Sequence, residues 1–308
     1  MPTSVFDVVP KSFRRPEQLP QTSAEAAEWQ NANRTFWESN PMRYDWHENV
    51  TQEARSVQFF EEIDRRFLEG VRAYMPWRRH PFEQLLDFDT LGTRSVLEIG
   101  VGMGTHAQLI AKHARSYVGI DLTDYAVTAT RERLRLAGLQ GTVVRMDAEQ
   151  LDFADGSFDF IWTWGVIHHS SNTQRILAEM RRVLRPGGQA MVMVYNRGWW
   201  DYYVCGCFIH GVLRGGVFKH GNFGRAVQAT SDGALSRFYS KRSWSELASP
   251  YFTMDSVTVN GNKAEVLPIP ASRLKTAILD HVPDAVSRYM TRDLGMGSFL
   301  IAKMTRTA

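Results

Sequence analysis

A chain of 308 residues, 44% apolar and 22% charged, can bury a sizeable core as one large domain or two small ones, and its balance is that of an ordinary soluble protein. Its 36 Lys plus Arg against 33 Asp plus Glu, a net charge of +3, give little reason to expect a nucleic-acid backbone as the main partner. The two cysteines, Cys205 and Cys207, stand too close for an ordinary disulfide and lack a second pair to complete a zinc site, which suggests a reduced, cytoplasmic protein with no metal. No apolar run is long and clean enough for a membrane span, and Lys11, Arg14, Arg15 and Glu17 interrupt anything like a signal peptide.

Residues 1–22, with Pro2, Pro10, Pro16 and Pro20, read as an extended arm. Ser23 is the candidate cap of a helix beginning at Ala24. From Phe36 to Trp46, large aromatics gather around Asn40-Pro41. They form either a clasp that packs the arm onto the domain or a lid over a bound cofactor and its substrate, with Trp37 against substrate and Tyr44 donating a hydrogen bond to the cofactor. Over 58–74, Phe59, Phe60, Ile63, Phe67 and Val71 recur at helical spacing. Arg78, Arg79 and His80 form a solvated basic corner. Residues 1–90 are thus assigned to an arm and helical lid, and 91–308 to the main domain.

The apolar run Val96, Leu97 and Ile99 reads as a buried parallel strand, and it runs into Gly100, Gly102 and Gly104 before a helix from Thr105. Glycine permits a sharp turn and a close backbone approach to a ligand. The dinucleotide fingerprint is G-x-G-x-x-G, but here the third glycine comes one residue early and Glu98 precedes the turn. A carboxylate there repels a pyrophosphate and suits a ligand that carries an ammonium group. Glu98-Ile99-Gly100-Val101-Gly102-Met103-Gly104 resembles motif I of the class I S-adenosylmethionine-dependent methyltransferases. In that family the glycine loop lies against the methionine part of the cofactor, and the acidic residue helps to fix the loop and the amino group.

The resemblance carries through the following elements. A second strand over 117–120 ends in Asp121, followed by Leu122; the family uses the acidic residue here to accept both ribose hydroxyls. The rival reading is a helix cap, a task Thr123 or Asp124 can already perform. A helix over 125–137 stops at Gly138. After a third strand over 142–146 come Asp147, Ala148 and Glu149, where similar methyltransferases read the adenine amino group and ring edge; a capping role is again the rival. The fourth strand, 158–164, places Trp162 and Trp164 on one side, and Trp164 and Gly165 are assigned to cover the cofactor. Next come His168 and His169, at the strand ends where substrate chemistry belongs in an open parallel sheet. Either is a candidate base, and either is equally a brace for the loop. A helix over 171–184 leads to Arg185-Pro186-Gly187-Gly188, which resembles the family's post-helix signature, and then to a fifth strand over 189–195.

Beyond Tyr195 the family pattern ends. Trp199, Trp200, Tyr202, Tyr203, Phe208, Ile209, Val212 and Leu213 crowd together. Three readings stand: a mobile wall of an apolar pocket, with Tyr195, Trp199, Trp200 and Tyr203 touching substrate; an interfacial helix in peripheral contact with lipid; or a dimer contact. Strands follow over 252–259 and 298–304, with a helix over 271–290 between them, so that 197–245 and 261–297 are insertions.

The resemblance implies an α/β fold: a Rossmann-like, seven-stranded, mostly parallel sheet with helices on both faces, an antiparallel last strand, an N-terminal helical lid and inserted helical substrate-binding segments. It implies S-adenosylmethionine as cofactor and S-adenosylhomocysteine as product. The expected reaction is transfer of the methyl group to an oxygen or nitrogen of an apolar or aromatic small molecule, by a monomer or homodimer. Carbon methylation of a lipid or quinone precursor is one alternative, and a noncatalytic S-adenosylmethionine-binding module is another.

Overall fold

The computed structural model describes residues 9–45, 49–269 and 272–307; Trp46, part of the aromatic stretch noted above, lies outside them. Helix α1 spans Ser23–Ser39, and its cap is Thr22 rather than Ser23: the Thr22 hydroxyl accepts from Glu25 N at 3.1 Å. Helix α2, Val57–Tyr74, is capped by Ser56 and buries Phe59, Phe60, Ile63, Val71 and Tyr74. The short α3, Phe88–Leu91, precedes the sheet. Then β1 (Ser95–Ile99), α4 (Thr105–Ala111), β2 (Ser116–Asp121), α5 (Asp124–Leu136), β3 (Thr142–Arg145) and β4 (Phe158–Trp164) alternate. A single tight turn of helix, Ile167–His169, leads to α6 (Thr173–Val183) and β5 (Leu184–Asn196).

The strand order is β3-β2-β1-β4-β5-β8-β7. Strands β1 to β5 pair parallel, while β8 (Phe299–Arg306) runs antiparallel to both β5 and β7 (Phe252–Asn260). The sheet has an eighth member, the two-residue β6 (Phe238–Tyr239), beside Tyr195 and Asn196. Because β5 outruns β4, whose last paired residue Trp164 lies opposite Met193, its end is open for β6.

One face of the sheet, with Leu97, Ile161, Val192 and Leu300, packs on Leu177 and Met180 of α6 and on Trp244 of α9 (Lys241–Ala248). The other, with Val96, Phe160, Trp162 and Met191, packs on α2, α4 and α5 through Val71, Ile110 and Val127. Burial on both faces is why these strands read as continuous apolar runs.

The segment after β5 is a wide helix, Trp199–Leu213, with hydrogen bonds from Tyr203 N to Gly198 O and from Arg214 N to Ile209 O, each spanning five residues. It is followed by α7 (Gly216–His220) and α8 (Phe223–Gln228). The helix expected over 271–290 is broken: α10 (Arg273–Asp280) and α11 (Asp284–Arg288) flank Pro283, whose missing N–H and ring prevent a continuous helix. Arg237, 3% exposed, ties the chain's remote parts together. It donates to the carbonyls of Ser170, Ser171, Pro16 and Gln18, so the N-terminal arm is pinned to the loop after β4.

Candidate functional site

The carboxyl ends of β1 to β4 open into a cavity of about 350 Å³ that α1, α2 and the 41–45 loop cover. This is the crevice position typical of open α/β sheets.

The glycine turn forms its floor. Gly100, Gly102 and Gly104 have φ of +81°, +50° and +79°, a region open to glycine and costly for other residues. A Cβ on Gly100 would overlap Val166, whereas one on Gly102 would meet nothing. Gly100 N and Val101 N donate to Ile120 O at 2.8 and 3.2 Å, which fixes the turn to β2. Gly100 and Gly102 line the cavity; Gly104 does not, because it faces Thr130 and Arg133 as α4 begins.

Glu98 also departs from expectation and is not in the wall. It is 1% exposed, and its Oε2 accepts from the Tyr117 hydroxyl at 2.6 Å. Its register partner is Gly119, and a Cβ there would strike the Tyr117 hydroxyl, so the absent side chain lets Tyr117 reach across. Burial pushes the Glu98 carboxyl up to about 8, with Tyr117 pulling the other way, so it is mostly protonated at neutral pH. Glu98 thus stands beneath the turn as a brace.

Asp121 lines the cavity beside Leu122. Its Oδ2 accepts from Gly102 N at 3.2 Å, and its Oδ1 from Thr123 N and Oγ1 at 3.0 and 2.8 Å. Burial raises its pKa, and these hydrogen bonds work against the rise. A carboxylate offers about four lone-pair positions, so one is left for a hydroxyl in the cavity. The cap of α5 is Thr123, through Ala126 N, so Asp121 is not needed for that role.

Asp147 and Ala148 line the next stretch of wall. Asp147 Oδ1 accepts from Glu149 N and from Gln30 Nε2, both at 2.8 Å, leaving Oδ2 for an external donor. Glu149 is corrected: it is absent from the wall, and its Oε1 accepts from Ser170 Oγ, Ser171 Oγ and Asn172 N at 2.7, 2.7 and 2.9 Å. It anchors the start of α6. Trp164 and Gly165 close this end, with the Trp164 ring stacked on buried Trp162, centroids 5.4 Å apart and planes 5° from parallel.

The far end is aromatic, with Trp37, Tyr44, Phe67, Tyr74, Tyr195 and Phe299 in its wall. Tyr44 stacks on Phe67 at 5.0 Å. Of the two histidines, only His169 lines the cavity. Its Nδ1 faces Leu235 O at 2.7 Å, so Nδ1 carries the hydrogen and Nε2 is left as the acceptor. Burial holds it down to about 4, against the raising effect of that hydrogen bond, so the ring is neutral. Its edge meets Trp37 at 5.0 Å. His168 is corrected: it is fully buried, with neither ring nitrogen bonded, wedged against His169 and Tyr195 at 4.1 and 4.0 Å. Two adjacent residues on a tight turn face different ways, and only one can look into the site.

Trp199, Trp200 and Tyr203 are likewise corrected, since none is in the wall. The indoles of Trp199 and Trp200 donate outside it, to Leu294 O and Glu265 O at 2.8 and 2.9 Å, and Trp199 and Tyr203 are 51% and 48% exposed.

Among the polar lining residues that sequence reasoning missed are Gln30 and Asn33 on α1, His106 on α4, and Asp232. Gln30, Asn33 and Trp37 follow the i, i+3, i+7 spacing of one helical face, and polar groups on an otherwise buried face were a readable signal. Asn33 donates to His169 O. Asp232, raised by burial, lies in a Ser-Asp-Gly stretch that reads as a plain turn and carries no signal. Among the described residues, no group of three or more His, Cys, Asp or Glu is arranged to hold a metal ion.

With this geometry in view, residues 97–192 match the family model described as a methyltransferase domain. Over 100 residues the chain is 42% identical to the phthiotriol/phenolphthiotriol dimycocerosates methyltransferase of Mycobacterium tuberculosis (strain ATCC 25177 / H37Ra), covering 32% of this chain and 36% of that protein. Over 107 residues it is 35% identical to the ubiquinone/menaquinone biosynthesis C-methyltransferase of Cupriavidus taiwanensis, covering 34% and 44%. A putative methyltransferase of Bacillus halodurans superposes with a TM-score of 0.47 at 19% identity, over 72% of this chain and 99% of that one. The chain spans less than half the length of these curated relatives. The glycine turn and the acidic strand ends lie within the matched segment, which is a methyltransferase domain.

Proposed function

We propose that this chain transfers the methyl group of S-adenosylmethionine to an oxygen or nitrogen atom of an apolar small molecule. The observation that supports this most is the continuity of one cavity from the glycine turn, through Asp121 and Asp147, to the aromatic wall that holds His169 and Asp232. When bound, S-adenosylmethionine supplies an electrophilic methyl group. Gly100 and Gly102 would take its amino acid end, Asp121 a ribose hydroxyl, and Asp147 Oδ2 its adenine amino group. At the other end, Trp37, Tyr44 and Tyr195 hold an apolar acceptor and exclude water, which favours alignment over hydrolysis. His169 Nε2 is an unprotonated acceptor, and the Asp232 carboxyl is a second one; either takes the proton that a hydroxyl or amine gives up.

Calorimetric titration with S-adenosylhomocysteine, followed by transfer of labelled methyl from S-adenosylmethionine to lipophilic acceptors, tests this. Folded protein that binds neither compound overturns it. The names of the relatives, which include a dimycocerosates methyltransferase and a ubiquinone/menaquinone C-methyltransferase, favour a second reading, carbon methylation of a lipid or quinone precursor. Mass spectrometry of the labelled product distinguishes a new C–CH₃ bond from an O- or N-methyl group. Tight binding with no transfer to any acceptor would leave the noncatalytic module.

A further inference from the structure

The wide helix after β5 has two stripes that a 3.6-residue period does not reveal. Where bonds span five residues, side chains four or five apart stand above one another. Tyr202, Gly206 and Gly211 follow that repeat and are buried; Gly206 and Gly211 lie close against Val227 and Phe223. Trp199, Tyr203, Phe208 and Val212 follow the same repeat on the opposite side and are 48–53% exposed. Leu213 at the helix end and Phe218 in α7 are exposed as well, 65% and 90%. A contiguous run of large apolar side chains in water marks a surface meant to be covered.

The charge around it indicates what covers it. Between residues 197 and 230 the cations are Arg197, Arg214, Lys219 and Arg225 and the one carboxylate is Asp201; Arg197 is paired with Glu17 at 2.7 Å, which leaves Arg214, Lys219 and Arg225 as the remaining cations. Arg214 and Lys219, both exposed, flank Leu213 and Phe218 directly. A twofold contact between two copies places a patch against itself, which would bring these like charges together. Aromatic and aliphatic side chains bordered by cations instead match the boundary of a bilayer with negative headgroups. We infer that the stripe from Trp199 to Phe218 docks this chain on an anionic lipid surface.

The stripe begins just after Tyr195, which lines the cavity, so docking would place the acceptor end beside a reservoir of apolar molecules. That consequence rests on the proposed function; the docking itself does not, and it is measured without cofactor. The full chain is sedimented with vesicles of phosphatidylcholine alone or of about three parts phosphatidylcholine to one part phosphatidylglycerol. Binding to the anionic vesicles is expected, roughly tenfold weaker on phosphatidylcholine alone or when salt rises from about 0.1 M to about 0.5 M. The pair Leu213→Ser and Phe218→Ser should lower partitioning at least about tenfold, with unchanged thermal unfolding because both side chains are exposed. Arg214→Glu with Lys219→Glu should remove the salt-sensitive part. Wild-type protein that stays in the supernatant, or serine variants that bind undiminished, would overturn the inference. So would a dimer in sedimentation velocity that the serine variants dissolve, since the patch would then be a self-interface.

Discussion

The two ends of the cavity are built from different materials. At the glycine-turn end the wall is backbone and short acidic side chains at strand termini, each fixed by hydrogen bonds: Gly100 and Val101 to Ile120, Asp121 to Gly102 and Thr123, Asp147 to Gln30 and Glu149. At the acceptor end it is mostly ring faces from α1, the 41–45 loop, α2 and β5, held by packing such as Tyr44 on Phe67 and Trp37 on His169. A polar, backbone-built site recognises one ligand and tolerates little change. A packed aromatic site can be reshaped for a new acceptor while the cofactor end stays as it is.

Substitutions should divide along the same line. The largest effect is expected from Gly100→Val, which meets both the overlap with Val166 and a φ of +81°. It should cost about 3 kcal/mol or more and abolish S-adenosylhomocysteine binding, read by thermal unfolding and calorimetry. A variant that bound normally would break the contrast. Asp121→Ala removes the tether of the turn along with the proposed ribose contact, and should weaken S-adenosylhomocysteine about a hundredfold, near 2.7 kcal/mol.

Glu98→Gln addresses the brace below the turn. The native carboxyl keeps its proton up to about 8, whereas an unfolded one releases it near 4.5. Between these values the native state binds more protons, so stability falls as pH rises across that window. The glutamine variant should flatten this slope and be more stable by roughly 2 kcal/mol at pH 8, as urea unfolding across pH 5 to 8 would show; an unchanged slope would mean that Glu98 is ionised in the fold. Gln30→Ala removes one neutral donor to Asp147 and should weaken S-adenosylhomocysteine about fivefold, roughly 1 kcal/mol. Smallest of all, Tyr44→Phe at the acceptor end should leave that affinity within about twofold while changing KM for the acceptor. A large loss of cofactor affinity there would erase the distinction between the two ends.

The scaffold was largely legible because its signals are local. Apolar runs such as Val96 to Ile99 and Phe158 to Trp164 mark strands buried on both faces, and the glycine turn marks the crossing to α4. Asp121, Asp147 and Trp164 could be placed because strand ends face the crevice whatever the details. Glu98 and Glu149 show where that rule stops. Proximity to the turn does not say which side of the sheet a residue takes, and only the register with Gly119 and the hydroxyls of Ser170 and Ser171 decide it. Gln30 and Asp232 come from segments far from the sheet motif in sequence; the polar face of α1 marks Gln30 as unusual without saying what it meets, and nothing around Asp232 predicts its place. The apolar run from Trp199 was visible as composition, but its division into a buried and an exposed side was not, because a repeat of four and five residues escapes a search at 3.6.

Arg237 has a consequence for how the molecule comes apart. Its guanidinium, in contact with the Phe13 ring as well as four carbonyls, is an ion solvated mainly by this protein's own backbone. Cleaving the chain near Gln18 would take away half of that solvation and leave a stranded charge costing several kcal/mol, within a few residues of His169. The proline-rich leader and the histidine turn should therefore loosen together, and a protease nick at one should be felt at the other.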